Sequence, residues 1–374
     1  MECRLERSSL TLSVLSGVKK IFCGHLDALK AKIRVMRLRL TISLLATILS
    51  TSLLVPGASS EEPRGALQKK PIFVFYTDEV WLNLHHFLYV LGRAQNKTAD
   101  STREAVNKAG AEQEKGFAVL TATERTAWNE AVSAYATGFS KKDLVFDDPL
   151  PAVTKALAQA GEAGSLTNSE IDPAIVATLQ RVQPIYRKAW WREHKRANEV
   201  WRSSIEKLVQ QHGAPVLSFI TRAYQASWPE AGYPVHLSAF TNWAGAYSTE
   251  GNLLVVSTLA EGNRELYGLE IIFHEAMHQW DPQVFEALQT QARLQNKLVA
   301  RGLSHALIFF TAGEAVRRVS AAHMPYADKA GVWQRGMSQF RQPIEQTWKP
   351  YLDGKGTRDE AMAELIRLTG ESRR

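Results

Sequence analysis

Apolar residues recur at helical spacing over most of the chain. After Thr77 and Asp78, a plausible N-cap, Trp81, Leu84, Leu88 and Leu91 mark one face of a helix. Thr121 followed three residues later by Glu124 is a capping box, predicting a helix to about Tyr135 with Gly138 just beyond. Residues 147–172, rich in Ala, Gly, Pro and Ser, read as a loop or a broken short helix. A long helix is expected from Pro184 to Gln211, stopped by Gly213, and another over 215–227, ending before Pro229.

The pattern then changes. Residues 233–240 and 252–258 alternate or run apolar as strands do, with a third strand candidate at 243–247 and a turn over 248–252. Helices return near 263–280, 283–301, 304–319 and 330–350. The class expected is α+β, predominantly α-helical, with one small sheet. A helical N-terminal region over 61–230 precedes the sheet and its following helices over 231–374.

Composition adds a leader. Arg37 and Arg39 precede an apolar run from Leu40 to Val55, followed by Gly57, Ala58, Ser59 and Ser60. A basic stretch, an apolar stretch and a small-residue cleavage zone describe a secretory signal peptide. The run is too short for the ~20 apolar residues that span a bilayer. Residues 1–60 are therefore expected to be a leader, with the signal in 36–60 and translation starting at Met36. The mature protein would be secreted or periplasmic, without stable membrane insertion; an uncleaved N-terminal anchor is the alternative. Both cysteines, Cys3 and Cys23, fall before Met36, so the mature chain would have neither a disulfide nor a thiol ligand.

Charge narrows the partners. The chain has 45 Lys/Arg and 38 Asp/Glu, but residues 1–60 hold nine of the former and three of the latter. That leaves 36 basic and 35 acidic side chains from residue 61 onward. A nearly neutral body lacks the basic footprint of a nucleic-acid binder. Oligomeric state is not legible.

The chemistry concentrates in His274-Glu275-Ala276-Met277-His278. Histidines four apart on a helix share a face, so both imidazoles can reach one zinc ion, and the intervening Glu275 lies where it can take a proton from a water on that ion. Leu266, Leu269, Ile271, Ile272 and Phe273 make the helix apolar and hence buried, and buried His and Glu need a partner. With this motif behind a small sheet, residues 233–330 resemble the zincin metallopeptidases. The resemblance implies a zincin-like core beside the H-E-x-x-H helix and an edge strand, here around Trp243–Tyr247, that binds a substrate backbone. It also implies hydrolysis of a peptide or protein substrate, with one Zn2+ per chain and Glu275 as general base.

A catalytic zinc takes three protein ligands. The metzincin branch is excluded: position 281 is Asp, position 284 is Val, and Pro282 interrupts the helix. The gluzincin branch implies a downstream Glu, and Glu314, flanked by Ala312, Gly313 and Ala315, is the expected third ligand beside His274 and His278. A salt bridge from Glu314 to Arg317 or Arg318 is the structural alternative. His305 is the rival. Nine residues before Glu314, it would lie about 180° around and ~13 Å along one continuous helix, so the two cannot easily bind one ion unless that helix breaks. It is kept as a residue beside the ligands or at the transition state. Asp281 and Glu286 are weaker ligand candidates. For oxyanion stabilisation the candidates are Tyr326, His323, His305 and Tyr247. A zinc-binding protein on the same scaffold without peptidase activity is the alternative function. Trp190, Trp191 and Trp201, and His85, His86, His194 and His236, read as structural.

Overall fold

The computed structural model describes residues 70–96, 103–161, 165–166, 171–249 and 252–372. Contacts divide the chain into Met1–Leu67 and Gln68–Arg374, and all described residues belong to the second unit. The expected leader lies outside the described residues. Among those described, no helix is long and apolar enough to cross a membrane.

The chain opens with β1 (Phe73–Tyr76), then α1 (Val80–Gln95), α2 (Arg103–Phe117), α3 (Ala122–Thr137) and α4 (Leu150–Ala160). The capping box at Thr121 and Glu124 forms as expected, and Gly138 ends α3. The segment expected to be a loop or broken helix contains α4, whose apolar residues Leu150, Val153 and Leu157 are buried.

The expected helices at 184–211 and 215–227 are one unbroken rod from residue 173 to 224: α5 (Pro173–Tyr186), α6 (Arg192–Leu208) and α7 (Ala214–Tyr224), joined by π-turns at Arg187–Trp191 and Val209–Gly213. Asp172 caps its start through the Ala174 N–H. Gly213 does not stop it, because the π-turn over Val209–Gly213 widens the coil just where Pro215 would press on the carbonyl four residues back.

Next come β2 (Tyr233–Ser238), β3 (Ala246–Thr249), β4 (Leu253–Ser257) and α8 (Glu265–Met277). They are followed by α9 (Asp281–Leu294), β5 (Lys297–Leu298), α10 (Leu303–Val319), α11 (Tyr326–Lys329), α12 (Ser338–Leu352), α13 (Arg358–Thr369) and β6 (Glu371–Ser372). The main sheet has the order β1-β2-β4-β3, with β1, β2 and β4 parallel and β3 antiparallel at the edge. A predominantly helical α+β fold with a small mixed sheet is thus what forms.

The division at residue 230 does not. β1, from the expected helical region, pairs with β2, Phe73 opposite Tyr233. The sheet is buried on both faces: Leu254 and Val256 of β4 enter one apolar core with α7, α8 and α10, while Leu253 and Val255 enter a second with α1, α3, α4 and α5. That is why Leu253-Leu-Val-Val256 reads as a continuous apolar run. The rod serves both cores, Trp190 and Trp191 in the second, Trp201 in the first. Buried Asn83 and Asn198 tie α1 and the rod to the end of β2. Both amides donate to the Leu237 carbonyl, at 3.0 and 3.2 Å, and Asn83 Oδ1 accepts the Ala239 N–H.

Candidate metal centre

α8 carries the motif. Its start is fixed by Asn263, whose amide donates to the carbonyls of Gly245 and Ser257 and whose carbonyl accepts the Trp201 indole N–H. Gly268 lies so close to that carbonyl that a Cβ would stand 2.5 Å from it. The apolar stripe Leu269, Ile272, Phe273 and Ala276 is buried, which turns His274, Glu275 and His278 toward α10 and β3.

α8 ends at Met277, and a single 3-10 turn over His278–Trp280 leads into α9. Pro282 stands in the first turn of α9, where its missing N–H costs nothing. This tight passage swings Asp281 back, and its carboxylate accepts the His278 Nδ1–H at 2.7 Å. The other ring nitrogen of His278 is left free to face the site. Burial pushes the His278 imidazole down, but that hydrogen bond and the charges of Glu275 and Asp281 outweigh it and hold it up.

α10 supplies the third imidazole. Gly302, at φ 86°, takes a left-handed conformation that starts the helix, and His305 sits in its first turn. His305 Nε2 lies 3.3 Å from His274 Nε2. Nitrogens of His274, His278 and His305 lie within 4.8 Å of one another. Phe309, one turn on, stacks on His305 at 4.7 Å and covers His274 at 4.2 Å. Burial pushes His305 down to about 4 and His274 well below its usual value, so both rings are neutral.

These residues fit a zinc ion. Two nitrogens about 2.0–2.1 Å from a tetrahedral zinc stand about 3.4 Å apart, close to the 3.3 Å found between His274 and His305. A carboxylate behind one imidazole is the usual support for a metal-binding histidine. Neutral imidazole is the ligating form.

Glu314 is not part of this group. Its carboxylate pairs with Arg317 at 2.7 Å and lies 3.9 Å from Lys349 on α12. α10 is continuous from Leu303 to Val319, so the face that brings in His305 turns Glu314 away. The small residues around it do allow close packing against α8, without turning Glu314 to the histidines: a Cβ on Gly313 would stand 2.5 Å from Pro325 and 3.3 Å from the Glu270 carboxylate of that helix. Of the weaker ligand candidates, Asp281 supports His278 and Glu286 is exposed on α9.

Glu275 sits between α8 and β3. Ser248 Oγ donates to its backbone carbonyl at 2.8 Å. Burial pushes the Glu275 carboxyl up, only partly offset by His278 and Ser248. β3 is shifted from the expected 243–247 to Ala246–Thr249, and its alternation sends Ser248 to α8 and Tyr247 the other way. Tyr247 OH is buried against His86 Nε2 at 2.7 Å, which removes it from the oxyanion candidates. Similar phenol contacts hold His85, to Tyr135, and His194, to Tyr186.

His323 and Tyr326 converge on Glu270, one turn before His274. His323 Nε2 lies 2.6 Å from Glu270 Oε2, and the Tyr326 N–H reaches both carboxylate oxygens at 2.9 and 3.0 Å. The Tyr326 side chain lines a cleft of about 160 Å3 with Asn242, Trp243, Gly245 and Gly262, at the start of the edge strand. Burial pushes its phenol up, and the charges of Glu270 and Glu275 add to that. Neither this cleft nor a larger hollow of about 300 Å3 at Arg222, Arg318 and Tyr351 is lined by a residue of the histidine group.

The Glu270 pairing had no periodic signature in the sequence. A Glu one turn ahead of the motif inside an apolar helix was its only trace. Compared with known proteins, the chain matches no family model, no characterised protein and no solved structure.

Proposed function

We propose that the chain is an exported zinc-dependent peptidase with a zincin-like core, holding one zinc through His274, His278 and His305. The observation that carries this is the convergence of three imidazole nitrogens beside Glu275, on a helix packed against an edge strand. A zinc ion bound there supplies Lewis-acid polarisation of a carbonyl and of a water molecule. Glu275, its carboxyl pushed up by burial, takes the proton of the attacking water and delivers it to the leaving amine. β3 pairs only with β4 among the described residues, so its free edge can hold an extended peptide by backbone hydrogen bonds. Tyr326, from the cleft at the start of that strand, is the donor for the developing oxyanion.

Glu275→Gln separates a peptidase from a protein that only binds zinc. The amide keeps the size of the side chain and cannot accept the proton. Chain from residue 61 onward, tested on a peptide library with elemental analysis alongside, should keep one zinc and lose at least ~10²-fold in turnover. Wild-type protein that binds zinc and cleaves nothing leaves the non-catalytic alternative, and protein that binds no zinc removes the metal site itself.

A further inference from the structure

Glu270 lies on α8 between the metal centre and the chain that follows α10. It is buried, and so is His323. Its carboxylate does two jobs: it accepts the His323 Nε2–H, and it accepts the Tyr326 backbone N–H with both oxygens. A buried carboxylate is costly unless its oxygens are hydrogen-bonded, and here both of them are. The joint is closed from behind by α10, where Gly313 leaves no room for a Cβ between Pro325 and Glu270. His323 is held from its other side by the Tyr267 ring, at 5.0 Å, on α8 itself. The segment carrying Tyr326 is thereby fastened to the same helix that carries His274 and Glu275, one turn away.

We infer that Glu270 and His323 are positioning residues. They set the height of Tyr326 over the cleft relative to the H-E-x-x-H helix, so that the phenol and Glu275 keep a fixed mutual geometry. This rests on the proposed hydrolytic function only for its catalytic consequence; the anchoring itself is a statement about the Tyr326 backbone amide. A fixed geometry of this kind matters because misplacing a reacting partner by about 1 Å can cost about 10²-fold in rate.

Two measurements on the zinc-loaded protein test it. The first is hydrogen exchange at the Tyr326 amide. In Glu270→Ala the amide should exchange faster than in wild type while α8 stays protected. His323→Ala should do the same more weakly, and His323→Gln, which keeps a donor toward Glu270, should restore protection. Gly313→Ala offers an independent route, because it displaces Pro325 with Glu270 intact and should also speed exchange at Tyr326. The second is kinetic. Glu270→Ala should leave zinc content and KM near wild type and lower kcat by about 10²-fold, and the double variant Glu270→Ala/Tyr326→Phe should be no slower than Tyr326→Phe alone. Unchanged protection of the Tyr326 amide in Glu270→Ala overturns the anchor. Losses that multiply in the double variant overturn the positioning of Tyr326. Wild-type protein inactive on every peptide would sink the hydrolytic function and the kinetic role with it, while the exchange arm would still decide the anchor.

Discussion

At the scale of single residues, the third metal ligand depends on one helix and its phase. His305 and Glu314 share α10, and only one of them can face His274 and His278. His305→Ala should therefore abolish tight zinc binding. Glu314→Ala should leave zinc in place and affect only stability, through the loss of buried Glu314's pairing with exposed Arg317 and half-buried Lys349. Asp281→Ala removes the carboxylate behind His278 and should weaken zinc binding by roughly 10–100-fold, the usual cost of losing such a support. Competition with a chelator, run on the three variants together, checks all of this. Zinc lost from the Glu314 variant and retained by the His305 variant would restore the gluzincin arrangement expected from the motif.

At the scale of elements, close packing overrides local preference. Gly116 lies in the last turn of α2, and replacing a glycine by Ala within a helix would ordinarily stabilise it by roughly 0.5–1 kcal/mol. Here a Cβ would stand 2.1 Å from the Trp190 indole. That indole is itself fixed by donating to the Glu112 carbonyl at 2.7 Å, so it cannot step aside freely. Gly116→Ala should destabilise by about 1–3 kcal/mol, the range for overpacked interiors. Urea unfolding with the midpoint and slope both reported would test the sign, and a higher midpoint would show that Trp190 yields without cost.

At the scale of the whole molecule, the second core encloses neutral histidines. Burial pushes His85 and His194 down to about 3. Their unfolded value is about 6.5. A group with a depressed folded pKa and a neutral base form favours the fold fully above the unfolded pKa, and that contribution is lost as pH falls from about 6.5 toward 3. Each such histidine contributes a slope of up to about 1.4 kcal/mol per pH unit within that window. Metal-free protein should therefore lose stability steeply between pH 6 and pH 4. His85→Gln/His194→Gln should show a shallower dependence in chemical denaturation at several pH values. An unchanged slope would mean that these rings take up protons without opening the core.

Much of this was legible in the chain because it is local. The capping box at Thr121, the apolar run of β4, the i, i+4 histidines and the neighbouring Glu275 each rest on residues a few positions apart, where helix and strand periods determine which side chains share a face. The rest required the fold. β1 is four residues long and carries no alternating signal, and it becomes a strand because β2, 157 residues further on, offers it an edge. The rod passes through Gly213 because the π-turn over Val209–Gly213 accommodates Pro215, an adjustment that propensity does not encode. The choice between His305 and Glu314 was open in sequence since both fit a helix. It was decided by the rotational phase of α10 against α8, which is set by where Gly313 meets Pro325 and Glu270 and where Phe309 covers the two imidazoles. A motif specifies the chemistry that two adjacent turns can offer; the third side chain comes from another element, and only the packing of that element brings it within reach.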